Sequence, residues 1–179
     1  TLIDPEALVN GLESGKIGVI TVNEFSRNVG IDVKNAVLAM RKQAGGSLNG
    51  LLLDLRSNPG GSLDEAVALS DLFIDSGQIV SQRGRNKREN IYYDAEKIFP
   101  GDVAKGTPLV VLIDAGSASA SEIVAGALQD HHRALIMGER SFGKGSVQTL
   151  LPLTRDSALK LTTARYFTPS GRSVQEGGI

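Results

Sequence analysis

The spacing of apolar and polar residues predicts a chain in which strands and helices alternate. After a turn at residues 14–15, residues 17–22 alternate as a strand with one buried face. Apolar residues then recur at helical spacing over residues 29–40. Residues 50–55 form an almost continuous apolar run, which is typical of a strand covered on both faces. A second amphipathic helix is predicted over residues 63–74.

The second half of the chain repeats this alternation. Residues 109–113 predict another buried strand, and residues 120–128 predict a helix with a broad apolar face. A strand follows at residues 134–137, and two more are predicted at residues 147–153 and 159–164. The pattern is typical of an α/β domain with two long buried strands at its centre.

The alternation weakens between residues 78 and 107. Within this stretch, residues 83–89 are almost entirely polar or charged and predict an exposed excursion. Residues 91–93 predict a short edge strand. This stretch therefore adds little to the predicted core.

Composition narrows the classes of chemistry. A length of 179 residues with 41% hydrophobic and 22% charged residues favours one globular domain. The net charge of -1 does not favour nucleic acid or an anionic membrane as a partner. Because the sequence has no cysteine, thiol catalysis, disulfides and cysteine-ligated metals are excluded. No apolar run approaches the ~20 residues of a membrane-spanning helix.

Ser119 lies between a predicted buried strand and a predicted helix, and two interpretations apply to it. Ser119 and Glu122 have the spacing of a capping box, which would make Ser119 a helix N-cap. Alternatively, small residues on both sides of Ser119 leave room for a substrate, as in a nucleophile elbow. Free backbone N–H groups at the helix start would then stabilise an oxyanion.

A serine nucleophile needs a base, and the two histidines are poorly placed for that role. His131 and His132 follow the helix that Ser119 begins, so ~18 Å separates them from it. They are expected to be a polar C-terminal turn of that helix. Lys144, flanked by two glycines, is the remaining base, and its alternative interpretation is a solvated loop lysine.

Two further motifs lie near these residues in the sequence or in the predicted fold. Residues 138–145 match seven positions of a phosphate-binding loop, but Gly145 stands where Ser or Thr is required and a strand pattern follows, which argues against nucleotide binding. The turn at residues 58–61 is explained by ordinary turn chemistry or by an oxyanion hole built from glycine N–H groups. Three charged residues at strand ends are interpreted as structural: Asp54, Arg56 and Asp114.

Taken together, these residues resemble the catalytic domain of the carboxy-terminal processing proteases, the tail-specific proteases of peptidase family S41. The resemblance lies in four blocks that occur in one order, residues 54–61, 116–130, 138–148 and 158–171. It implies an α/β fold similar to ClpP and crotonase, with stacked ββα units and a central, mostly parallel sheet.

The resemblance also implies a Ser–Lys dyad. The family's dyad spacing selects Ser119 as nucleophile over its neighbouring serines, with Lys144 as base. Gln148 corresponds to the residue that helps to hold the lysine.

The oxyanion hole would consist of backbone N–H groups. By resemblance one belongs to Ala120 and the other to Gly60 or Gly61, and the choice between these glycines stays open. No cofactor and no metal are implied.

The expected function is a serine endopeptidase that cleaves proteins near their C-termini through an acyl-enzyme. Residues 1–179 are expected to be a single catalytic domain and a fragment, without the family's PDZ domain and last strands. Protein or peptide substrates are the expected partners, without nucleic acid or nucleotide, and a homo-oligomer stays open. The family implies a periplasmic or otherwise extracytoplasmic location, or the thylakoid lumen. The alternatives are a catalytically silent peptide-binding module and an acyl-CoA enzyme of the crotonase type.

Overall fold

The structure is a computed structural model, which describes residues 8–13, 16–96 and 101–179. The predicted turn at residues 14–15 lies outside the described residues. In chain order the elements are β1 Leu8–Glu13, β2 Ile17–Val22, α1 Val29–Gln43, β3 Gly50–Asp54, α2 Leu63–Asp71, β4 Gln78–Gly84, a 3-10 turn Lys87–Glu89, β5 Ile91–Asp94, β6 Leu109–Ile113, α3 Ala120–Asp130, β7 Ala134–Gly138, β8 Ser146–Pro152 and β9 Ala158–Phe167.

The first sheet has five strands in the order β1-β2-β3-β6-β7. Strands β2, β3, β6 and β7 are parallel, and only β1 runs antiparallel to its neighbour. The two strands predicted from continuous apolar runs, β3 and β6, lie at its centre, as expected. Parallel neighbours bring the ends of β3 and β6 to the same edge, and the loops that follow both strands meet there.

The second sheet is antiparallel and has the strand order β5-β4-β9-β8. Strand β4 was not predicted, because its apolar start gives way to polar residues and its last two positions, Arg83 and Gly84, fall in the predicted exposed excursion at residues 83–89. Its first half is nonetheless buried, and the polar Ser81 is fully buried. Strand β1 was not predicted either. With one mostly parallel and one antiparallel sheet, the fold is mixed α/β, and the predicted fold class is confirmed.

Helix α3 lies deep in the core. It packs against α2 and contacts β7 of the first sheet and β4 of the second. Every residue from Ala120 to Leu128 is buried, which explains why small residues are frequent in this helix. The core thereby fixes the position of the helix start, where Ser119 lies. None of the described helices has the length and hydrophobicity that crossing a bilayer requires.

Candidate active site

Ser119 stands at the N-terminal end of α3 in an uncommon backbone conformation. Its φ of 56° and ψ of -109° place a non-glycine residue outside the ordinary allowed regions. Such a conformation costs about 1–3 kcal/mol and persists only where the surroundings enforce it. Ser119 is the N-cap residue of α3 and forms a capping box with Glu122, as the spacing predicted. An N-cap residue ordinarily has extended backbone angles, so capping alone does not explain this conformation.

The Glu122 side chain occupies the centre of this region. It is fully buried, with an exposed fraction of 0%. One carboxylate oxygen accepts the backbone N–H of Ser119 at 2.8 Å and that of Lys144 at 2.9 Å. The other accepts the Ser141 hydroxyl at 2.7 Å and the Gly143 N–H at 2.5 Å. A single buried carboxylate thus joins the loop of the serine to the loop of the lysine.

Sequence reasoning assigned Glu122 only to helix capping and missed this second role. The capping bond to the Ser119 N–H is present, yet it uses one of four hydrogen bonds. The signal in the sequence was an acidic residue one turn into a helix that is otherwise made of small and apolar residues. A buried carboxylate must find donors, and the glycine-rich loop at residues 141–144 supplies three of them.

The structure brings the backbones of Ser119 and Lys144 together but leaves the lysine side chain in solvent. Lys144 is exposed, and no hydrogen bond or ion pair of its amino group occurs among the described residues. In particular, no hydrogen bond joins Lys144 Nζ to Ser119 Oγ. Gln148 lies on β8, is also exposed, and likewise has no side-chain hydrogen bond in the described part of the chain.

The turn at residues 58–61 lies directly against Ser119. A Cβ atom on Gly60 would be 2.9 Å from the Cβ of Ser119 and 2.7 Å from the carbonyl oxygen of Ala118. Gly60 also has a φ of 105°, so no other residue fits this position without strain. The Asn58 carbonyl oxygen accepts the Ala118 N–H at 3.0 Å and the Ser121 hydroxyl at 3.0 Å. Together these contacts fix the glycine turn beside the serine.

The hydrogen bonds of this turn distinguish its two glycines. The Gly60 N–H donates to Asn58 Oδ1 at 2.9 Å, so it is occupied within the fold. Gly61 pairs with Phe25 as an isolated parallel bridge, which uses the Gly60 carbonyl and the Ser62 N–H. The N–H of Gly61 and that of Ala120 have no acceptor among the described residues. These two N–H groups are therefore free for a ligand.

The charged residues at the strand ends hold the loops, as interpreted from sequence. Arg56 Nη2 lies 2.7 Å from Asp54 Oδ2, and this hydrogen-bonded partner lowers the pKa of Asp54. Asp114 accepts the Ser57 N–H at 2.7 Å and the Gly116 N–H at 2.9 Å. These backbone donors, that of Ser57 above all, lower the pKa of Asp114. Asp114 thereby joins the loop after β3 to the loop after β6.

The two alternatives that sequence reasoning set aside are placed as expected. His131 is the C-cap of α3, and its Nε2 lies 2.7 Å from the Gln78 carbonyl oxygen, at the opposite end of the helix from Ser119. The loop at residues 138–145 is followed by strand β8 and not by a helix. The helix that a phosphate-binding loop requires is therefore not formed there.

Comparison with known proteins gives one consistent result. The sequence profile described as Peptidase family S41 matches residues 16–179. A carboxy-terminal-processing protease of Bartonella bacilliformis is 50% identical over 166 residues, which cover 92% of this chain and 38% of that protein. A probable CtpA-like serine protease of Staphylococcus aureus is 40% identical over 171 residues, covering 93% of this chain and 33% of that protein.

Solved structures agree with these relatives. A photosystem II D1 C-terminal processing protease matches all of this chain with a TM-score of 0.84 and 33% identity. An S41 protease structure from Bacteroides fragilis matches with a TM-score of 0.75 at 23% identity, which shows the shared fold. The chain spans 47% and 50% of these two structures, so it corresponds to about half of each.

Proposed function

The chain belongs to peptidase family S41, and from this premise we propose that it is the catalytic domain of a serine endopeptidase that cleaves proteins near their C-termini. Ser119 is the nucleophile and Lys144 is the general base. The activity for which these relatives are named is thereby extended to a chain that spans less than two thirds of their length.

The strained backbone of Ser119 is the observation that carries the proposal. A residue needed only as a helix cap would have the extended backbone angles usual at an N-cap, whereas Ser119 has a φ of 56° and a ψ of -109°. Strain of this kind is concentrated at active sites, and a strained turn from strand to helix is how an elbow presents a nucleophile. The shared Glu122 carboxylate supports the pairing with Lys144, because it positions both backbones at once.

The proposed reaction has two steps. Lys144 Nζ accepts the proton of the Ser119 hydroxyl as Oγ attacks the scissile carbonyl carbon, and the resulting oxyanion is bound by the N–H groups of Ala120 and Gly61. Lys144 then gives the proton to the leaving amine as the C–N bond breaks, which leaves an acyl-enzyme. In the second step Lys144 takes a proton from water as the water oxygen attacks the acyl carbon, and it returns that proton to Ser119 Oγ as the ester bond breaks, which releases the product carboxyl group.

Because the Lys144 side chain is exposed in this structure, the proposal requires it to turn toward Ser119 when a substrate covers the cleft. Gln148, four positions along on β8, is proposed to hold the lysine in that position. Gly61 is preferred over Gly60 as oxyanion donor, since the Gly60 N–H already donates to Asn58.

Further properties of the protein follow the same premise. The substrates are proposed to be proteins bound by their C-terminal regions, because the relatives are named as C-terminal processing proteases. An extracytoplasmic location and a single catalytic domain are proposed on the same ground.

The test is cleavage by the intact protein with Ser119→Ala and, as a control, the exposed Ser47→Ala. Ser119→Ala is expected to lower kcat by several orders of magnitude, on the order of 10⁶ as for another serine protease. Mass spectrometry of the products should place the cut near the substrate's C-terminus. Retained cleavage by Ser119→Ala would refute the assignment, and a wild-type protein that binds peptides without cleaving them would indicate the silent module.

A further inference from the structure

A groove lined by three arginines crosses the second sheet. Arg83 on β4 and Arg165 on β9 lie directly opposite each other in the antiparallel pairing. Arg85 follows two positions after Arg83, and Thr162 and Thr163 complete the rim of a depression of about 470 Å³. Because opposite residues of paired strands share one face, the Arg83 and Arg165 side chains leave the sheet on the same side, and both line the depression.

These cations are not neutralised within the described part of the chain. No carboxylate forms an ion pair with any of the three arginines there. The Arg83 guanidinium is held by Ser81 Oγ at 3.0 Å and stacks on the Phe167 ring at 4.7 Å, contacts that fix it without removing its charge. The nearby Glu89 is occupied by Asn86 Nδ2 at 2.7 Å.

Like charges directly opposite each other across two strands are destabilising when nothing compensates them. The overall charge of the chain is -1, so this local excess of positive charge is not a consequence of composition. An anion that bridges Arg83 and Arg165 would remove the repulsion. The arrangement therefore has the properties of an anion-binding groove.

We propose that this groove binds an acidic segment of the protein substrate through its carboxylates. Guanidinium groups bind carboxylates in a two-pronged geometry, with two N–H groups donating to the two carboxylate oxygens. Strand β9 connects the groove to the candidate site, since Arg165 pairs with Ser146, two positions after Lys144. The inference rests on the proposed protease function, which supplies the peptide substrate.

Binding is tested on the intact protein carrying Ser119→Ala, with a dye-labelled hexaglutamate peptide followed by fluorescence anisotropy. The peptide is expected to bind with an affinity that falls as NaCl rises, because exposed charges are screened. The double variant Arg85→Gln/Arg165→Gln is expected to weaken binding about tenfold. A matched control that also removes two exposed cations, Lys42→Gln/Arg155→Gln, should leave binding unchanged.

Several outcomes would overturn the proposal. One is that both double variants bind hexaglutamate equally well. Another is that a hexaglutamine peptide binds with the same affinity as hexaglutamate. A third is that anionic vesicles or inorganic phosphate bind while hexaglutamate does not. In active protein, the arginine variant should raise KM for a substrate with an acidic segment and leave kcat unchanged. If no peptide is cleaved but hexaglutamate binding behaves as expected, the proposed protease function fails and the groove stands.

Discussion

The serine side and the lysine side of the candidate site are built in different ways. Ser119 is fixed by the buried helix α3, by a glycine turn in close contact, and by a carboxylate that accepts its N–H. Lys144 is fixed only through its backbone, while its side chain extends into solvent. The hairpin that follows it, β8 and β9 with the turn between them, also exposes several apolar side chains, which include Leu150, Leu151, Leu153, Leu159 and Leu161.

This difference shows which groups of the candidate site the core holds in position and which it does not. The proposed nucleophile and oxyanion donors are held by packing and hydrogen bonds. The proposed base is an exposed side chain on a loop, so it is the group that a bound substrate would bring into position. The Glu122 carboxylate connects the two sides, and the Phe142 N–H adds a backbone bond to the Ser117 carbonyl oxygen at 2.9 Å.

After Ser119→Ala, the largest effect is expected on the lysine side. Lys144→Ala should lower kcat by about 10²–10⁴-fold, because that is the usual contribution of a general base. The free energy of unfolding should stay the same, because the side chain is exposed and the backbone bond to Glu122 remains. Steady-state kinetics and urea unfolding measure both, with the exposed Lys160→Ala on β9 as control. A stable but fully active Lys144→Ala would remove Lys144 from the mechanism.

The next effect concerns the connection between the two sides. Glu122→Ala leaves four donors without their acceptor, and we expect a loss of roughly 2–4 kcal/mol in the free energy of unfolding. Glu122→Gln preserves the volume and should be more stable than Glu122→Ala, with a reduced kcat because an amide cannot accept all four bonds. If Glu122→Gln had wild-type kcat, the carboxylate would be structural only.

A smaller effect is expected on the serine side at Gly60. Gly60→Ala places a Cβ within 3.0 Å of Ala118, Ser119 and Ala120. We expect it to lower the free energy of unfolding by about 1–3 kcal/mol and to lower kcat as well. Gly45→Ala is the matched control, since Gly45 also has a positive φ but open space around it. Its cost should be about 1 kcal/mol or less, without a change in kcat. Equal kcat values for the two variants would contradict the close contact with Ser119.

The smallest expected effect is a pH dependence of the free energy of unfolding, which comes from Asp114 in the loops beside Ser119. The pKa of Asp114 is lowered in the fold, so its stabilising contribution is present above its ordinary value of 3.8 and is lost as pH falls through the lower, folded value. Wild-type protein should therefore lose more stability than Asp114→Asn between about pH 6 and about pH 3. Urea unfolding at both pH values measures this difference. Parallel losses in the two proteins would show that Asp114 does not contribute.

The sequence pattern predicted strands β2, β3, β6 and β7 and the three helices, because their periodic apolar residues are buried locally, whereas β1 was not predicted. Strand β4 was not predicted, because Ser81 on this strand is buried by elements that are distant in sequence. The positions of Ser119 and Lys144 along the chain were evident, whereas the joining role of Glu122 was not. Its partners at residues 141–144 are about twenty positions away, and only the three-dimensional fold brings them together.

The most direct test of the central claim is to localise a serine-reactive phosphonate on the intact protein by tandem mass spectrometry. We expect a single adduct on the Ser119 hydroxyl. This adduct should be absent in Ser119→Ala and should form far more slowly in Lys144→Ala. An adduct on another serine, or labelling of Ser119 at an unchanged rate in Lys144→Ala, would contradict it.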